Sequence, residues 1–144
     1  MKILYICTHN RCRSILSEAI TNAVLPEGSQ AFSAGSAPAD EVHSLTIQYL
    51  TKCGYSIDNL RSKSWNDFEA QQPDIVITVC DNAANEECPL WFGNTIKVHW
   101  GLQDPSKVNG DEAELDEAFM RVINIIERRA KAIVGLLESD LQEG

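Results

Sequence analysis

Eight consecutive residues near the N-terminus carry the means to attack an anion: Cys7-Thr8-His9-Asn10-Arg11-Cys12-Arg13-Ser14. A cysteine and an arginine five residues apart are a weak signal alone, so the flanking elements decide the reading. The apolar run Ile3-Leu4-Tyr5-Ile6 before the segment reads as a buried strand. From Ser14 onward Ile15, Leu16, Ala19, Ile20, Ala23 and Val24 share one helical face, with Ser14 as N-cap and Pro26-Glu27-Gly28 as the stop. A tight loop between strand and helix can turn successive backbone amides toward one centre, and the helix N-terminus adds positive potential there. Arg13 can bind two oxygens of a tetrahedral anion at once. The same fields favour the Cys7 thiolate and predict a pKa below the ~8.5 of an ordinary cysteine. The Ser14 hydroxyl can donate to that sulfur, and Asn10 suits a left-handed backbone position. Thr8, His9, Asn10, Arg11, Cys12, Arg13 and Ser14 are thus the expected oxyanion cradle, with His9 and Arg11 on its rim. Cys12 either packs inward or reacts.

Asp104-Pro105 is the candidate acid. Expelling an oxygen from a tetrahedral oxyanion requires a proton, which a carboxylic acid near the pocket can supply. Pro105 restricts the backbone of Asp104 and so helps to aim it. Cys80 and Cys88 bracket the polar segment Asp81-Asn82-Ala83-Ala84-Asn85-Glu86-Glu87, with Pro89 beyond. As one helix the segment would hold the two Cα atoms ~12 Å apart. A disulfide requires roughly 7 Å or less, so the pair bridges only if the segment loops or unwinds. Two incidental cysteines, one in the core and one on a surface loop, are the plainer alternative. Additional thiols near the edge that carries Cys7 favour thiol–disulfide exchange. No C-x-x-C is present and the three histidines are scattered, so no zinc site and no bound metal is expected. Cys53 lies on an apolar helical stripe and is expected in the core.

These groups need a scaffold that brings strand ends together. Gln30 to Ser33 reads as a second strand, ended by Ala34-Gly35. Val42, Leu45, Tyr49, Leu50 and Cys53 line a helix closed by Gly54. Ile75 to Val79 is a strand running into Cys80, Thr95 to Val98 is the last strand, and His99 to Gly110 is a loop. A long terminal helix follows, with Leu115, Phe119, Val122, Ile123, Ile126, Ala130, Ile133 and Leu137 on its stripe and Asp111, Glu112 and Glu114 in its acidic first turn. Strands alternating with helices predict a three-layer α/β domain, a four-stranded parallel sheet with helices on both faces. Ligands in such folds sit beyond the carboxyl ends of the strands, where Cys7, Cys80 and the Asp104 loop all fall.

The chain has 144 residues, the size of one domain spanning 1–144. Twelve basic residues against 21 acidic ones give a net charge of −9, which argues against nucleic acid or an anionic membrane as partner. No spanning-length apolar run and no signal-peptide pattern is present, so a cytoplasmic protein, monomeric and without a structural disulfide framework among its five cysteines, is expected.

The chain resembles the low-molecular-weight tyrosine phosphatase superfamily and, within it, the arsenate reductases. The resemblance rests on the Cys7–Ser14 loop, Ser33-Ala34-Gly35, the strand into Cys80, His99-Trp100-Gly101 and Asp104-Pro105. Phosphatases of this fold usually carry a tyrosine just after Asp-Pro, where Ser106-Lys107 stands here; that departure and the Cys80/Cys88 pair favour the reductase. The resemblance implies attack of Cys7 on arsenate with Asp104 as acid, then a Cys7–Cys80 disulfide with release of arsenite, then a Cys80–Cys88 disulfide. It also implies an external thiol reductant in place of a bound cofactor: thioredoxin in preference to glutathione with glutaredoxin. Some members bind potassium near the loop through groups matching Asn10, Glu18 and Ser33; here Lys63 falls where a further acidic ligand would stand, and its ammonium, paired with Glu18, is expected in the ion's place. Two rivals remain: a tyrosine phosphatase hydrolysing phosphoesters through a Cys7 phosphoenzyme, and a non-catalytic thiol sensor.

Overall fold

The computed structural model describes residues 1–39, 41–80 and 95–143. Strands β1 (Lys2–Ile6), β2 (Gln30–Ala34), β3 (Ile75–Thr78) and β4 (Ile96–His99) form an all-parallel sheet in the order β2-β1-β3-β4. Ile3 to Ile6 are all buried, and because successive strand residues face opposite sides, β1 is covered on both faces. The chain leaves β1 toward β2 on one side and returns to β3 on the other. That reversal opens a crevice beyond the carboxyl end of β1, beside β3, and places Cys7 and Cys80 at its base.

Helices α1 (Arg13–Val24), α2 (Ser44–Lys52) and α3 (Glu112–Glu143) complete the layers. The apolar stripe of α3 buries Phe119, Ile123, Ile126 and Ala130 completely, and each large side chain contributes ~1.5–3 kcal/mol of transfer free energy. The rings of Phe119 and Tyr49 stack at 4.3 Å, joining α3 to α2. Tyr5 of β1 turns its hydroxyl to Thr21 Oγ1 of α1 at 2.8 Å. Among the described residues no helix is long and apolar enough to cross a membrane.

Some boundaries differ from the sequence reading. The last strand is Ile96–His99, one residue later than expected. The connection from α2 to β3 holds a 3-10 helix, Trp65–Gln71, capped by the Ser64 side chain, and the loop after β4 holds a short one at Pro105–Lys107. Neither has a repeating apolar stripe long enough to reveal it. Cys53 is the C-cap of α2 and only half-buried, its sulfur 3.8 Å from Met120 Sδ, because the helix ends as its stripe leaves the core.

Candidate active site

Cys7 follows β1 directly, its amide still bonded to the Ala34 carbonyl at 3.2 Å. The loop then turns its carbonyls toward neighbouring segments. Thr8 O accepts from Ala37 N, His9 O from Ala39 N and Ser62 Oγ, and Arg11 O from His43 N and Thr46 Oγ1. A trans peptide points its N–H opposite its C=O, so the amides of His9, Asn10 and Cys12 face away from those segments. Among the described residues the amides of His9, Asn10, Arg11, Cys12 and Arg13 take no protein acceptor. Five such donors in one loop form an anion nest.

Asn10 holds this shape. Its φ is +49°, it is fully buried, its Nδ2 donates to Ser14 Oγ at 2.7 Å, and its Oδ1 accepts from Lys63 N at 2.8 Å. Ser14 is therefore not the N-cap expected from sequence. The helix begins at Arg13, Cys12 occupies the cap with no side-chain hydrogen bond, and the Ser14 hydroxyl accepts from Asn10. A side chain capping the first turn would occupy the very amides that an anion needs.

The cavity over the loop is lined by Cys7, His9, Arg11, Cys12, Arg13, Asp104 and, from other segments, His43, Ser106 and Lys107. Arg13 donates from Nη1 to the Leu102 carbonyl at 3.0 Å and places Nη2 3.8 Å from Asp104 Oδ2. Its Nε is buried without a protein acceptor among the described residues. Asp104 caps the short helix after it, its Oδ1 accepting from Ser106 N and Ser106 Oγ, which leaves Oδ2 on the Arg13 side. Cys80 is buried two residues beyond β3, near enough to the Cys7 thiol to act on it and 3.7 Å from Thr8 Oγ1. A nucleophilic sulfur, an anion nest, a guanidinium and a carboxyl group thus meet in one cavity, and a second sulfur, that of Cys80, is buried behind the first. Cys88 lies outside the described residues.

The family model for low molecular weight phosphotyrosine protein phosphatases matches residues 2–143 of this arrangement. The chain belongs to this family. An arsenate reductase of Halalkalibacterium halodurans is 33% identical over 129 residues, 90% of this chain and 91% of the relative. A solved arsenate reductase of Archaeoglobus fulgidus superposes with a TM-score of 0.74 at 26% identity, covering 92% of this chain and 98% of that one. The fold is shared by a thioredoxin-dependent arsenate reductase of Corynebacterium glutamicum, with a TM-score of 0.73 at 24% identity over 96% of this chain and 62% of that one.

The electrostatics of this family member depart from the sequence reading at Cys7. The hydrogen bond with Cys80 and then burial push the Cys7 thiol up, and Arg13 pulls the other way without prevailing. The loop's field and Arg13 favour the thiolate, but the neighbouring Cys80 thiol and burial outweigh them. When two thiols share a hydrogen bond, one keeps its proton while the other ionises. Cys80→Ala is accordingly expected to lower the pKa of Cys7, read as a thiolate absorbance or alkylation rate that rises at lower pH than in the wild type. An unchanged or higher midpoint would show that the shared bond does not control Cys7. Cys12 is a different case: buried at 4% exposure, its thiol is pushed up to about 12 by burial, with Thr46 pulling the other way. It packs inward.

Lys63 lies beside this loop. Its Nζ is 3.4 Å from Glu18 Oε1, the same oxygen that accepts from Ser33 Oγ at 2.8 Å, and both charged side chains are nearly buried. Burial draws the Lys63 ammonium pKa down while Glu18 holds it up. Two contributors lie outside the expected set: His43 in the cavity wall, and Gly35, which lies against the loop backbone. Only the serine-alanine-glycine turn hinted at the last of these.

Proposed function

We propose that this chain is an arsenate reductase, an enzyme that converts arsenate to arsenite through a relay of cysteine thiols. The placement of the Cys80 thiol beside Cys7, whose sulfur lines an oxyanion pocket, carries the proposal. Ester hydrolysis needs one sulfur, whereas reduction needs a second thiol in reach of the first. The family relatives named above support the same activity.

Dihydrogen arsenate enters the nest with Arg13 bridging two oxygens. The Cys7 sulfur bonds to arsenic, an As–O bond breaks, and Asp104 protonates the departing oxygen, which leaves as water; Asp104 recovers its proton from the Cys7 thiol. The Cys80 sulfur then attacks Cys7. The S–S bond forms, the S–As bond breaks, and its electron pair stays on arsenic, which falls from the +5 to the +3 state. The proton of the Cys80 thiol goes to the departing arsenite. Cys88 in turn displaces Cys7 from Cys80, and a dithiol donor reduces the Cys80–Cys88 disulfide. Thioredoxin is the preferred donor, as for the Corynebacterium protein, with glutathione and glutaredoxin as the second choice. The alternative of phosphoester hydrolysis is disfavoured because Ser106 and Lys107 line the cavity mouth, where an aromatic substrate ring would need a flat apolar partner.

The deciding experiment follows arsenate-dependent NADPH oxidation with thioredoxin and its reductase, and separately with glutathione, glutaredoxin and glutathione reductase. Turnover with neither system would overturn the proposal. Lys63 is assigned the place of a potassium ion beside Glu18. Replacing sodium by potassium at constant ionic strength is then expected to leave wild-type kcat/KM unchanged, and Lys63→Ala to make it respond. Stoichiometric potassium binding by the wild type, measured by calorimetry, would remove that assignment.

A further inference from the structure

We infer that Arg129 is a positioning residue for the anion site, acting on Asp104 through Trp100 and Leu102; the inference rests on Asp104 being the acid proposed above. Arg129 grips Trp100 twice. Its Nη1 donates to the Trp100 carbonyl at 2.8 Å, and its guanidinium lies 5.4 Å from the centre of the Trp100 ring. The ring also meets Tyr5, buried in β1, at 5.3 Å. Gly101, at φ +58°, turns the chain to Leu102, which is 5% exposed. The Leu102 carbonyl accepts from Arg13 Nη1 at 3.0 Å, and Asp104 follows two residues later.

The rest of this segment hangs on the strand that leads to Cys80. Trp100 N donates to Thr78 O at 2.8 Å and Leu102 N to Val79 O at 3.1 Å. In the relay Cys80 changes its bonding partner twice, so the end of β3 is the part of the site under greatest demand to shift. Arg129 belongs instead to α3, beside Ala130 and one turn past Ile126, both fully buried. It ties the acid-bearing segment to a support that undergoes no chemistry.

The test is a double-mutant cycle of Arg129→Ala with Asp104→Asn, measured on arsenate reduction and on hydrolysis of phenyl phosphate, whose poor leaving group calls on the same acid but not on a second thiol. Arg129→Ala alone is expected to lower kcat about 10-fold through loss of acid alignment. In the Asp104→Asn background the further loss in kcat should be less than about 2-fold, because the aligned group is gone. Arg129→Lys, which keeps a cation over the ring, should recover part of the loss. Equal losses in both backgrounds would mean a structural role only and overturn the inference. A wild type inactive on arsenate, with the coupling retained on phenyl phosphate, would sink the reductase reading and uphold the inference. Inactivity on both substrates would overturn both.

Discussion

Cys7→Ser is expected to yield no arsenite even in a single turnover, with the rate lower by about 10⁴-fold or more. A serine hydroxyl is far less acidic than a thiol and a poor nucleophile at neutral pH, and the ester it would form with arsenic offers Cys80 no sulfur to attack. The loss therefore falls on both chemical steps. The other thiols divide the sequence of events. Cys80→Ser should leave arsenic attached to Cys7 with no arsenite released, because the group that now meets the Cys7 sulfur cannot complete a disulfide. Cys88→Ser should release one arsenite per chain and then stop at the Cys7–Cys80 disulfide. Rapid quenching with arsenite quantification, together with mass spectrometry of the thiols, checks all three. Steady cycling of both outer variants at the wild-type rate, with either donor system, would dismiss the relay.

The second large effect is expected at a residue that takes no part in the chemistry. Gly35→Ala should lower kcat/KM by about 100-fold, since the reacting groups lose their alignment, and destabilise the fold by about 1–3 kcal/mol through overpacking. A Cβ at this position would land on the Thr8 carbonyl oxygen, 2.7 Å from the Cys7 carbonyl oxygen and 3.1 Å from Asn10 N. All three are backbone atoms of the anion loop, so no flexible side chain can give way. Gly35 is itself held, its amide donating to Lys63 O at 2.9 Å and its carbonyl accepting from Trp65 N at 3.0 Å. The loop must therefore move, and with it the amides that would hold the oxyanion. Gly135→Ala is the control: a Cβ there meets nothing within 4 Å, and alanine in the body of α3 should be neutral or stabilising by about 0.5–1 kcal/mol. Denaturant melts and steady-state kinetics on both variants separate the two cases. A Gly35→Ala enzyme with wild-type kcat/KM would show that the loop tolerates the displacement.

The electrostatic reading of Cys7 shows how far local pattern reaches. Strand, loop, helix and arginine all lie within residues 2–24, and their joint preference for an anion follows from spacing alone. The hydrogen bond that raises the Cys7 pKa comes from Cys80, which is 73 positions away in sequence and brought near by the pairing of β1 with β3. Arg129 and Trp100 form another pair of this kind. Each reads in isolation as an ordinary helix cation and an ordinary loop aromatic, and only packing of α3 across the sheet end makes them one unit.

Amino-acid order alone determined the nucleophile loop, the alternation of strands and helices and the apolar stripe of α3. These depend on neighbours within a few residues, where backbone sterics and burial periodicity act directly. Tertiary structure alone decided which amides of the loop stay open, that Ser14 serves Asn10 instead of capping a helix, that Gly35 shapes the nest, and that the surroundings of Cys7 push its thiol pKa up. Each of those outcomes depends on the distance between atoms far apart along the chain, and the strand order β2-β1-β3-β4 sets that distance.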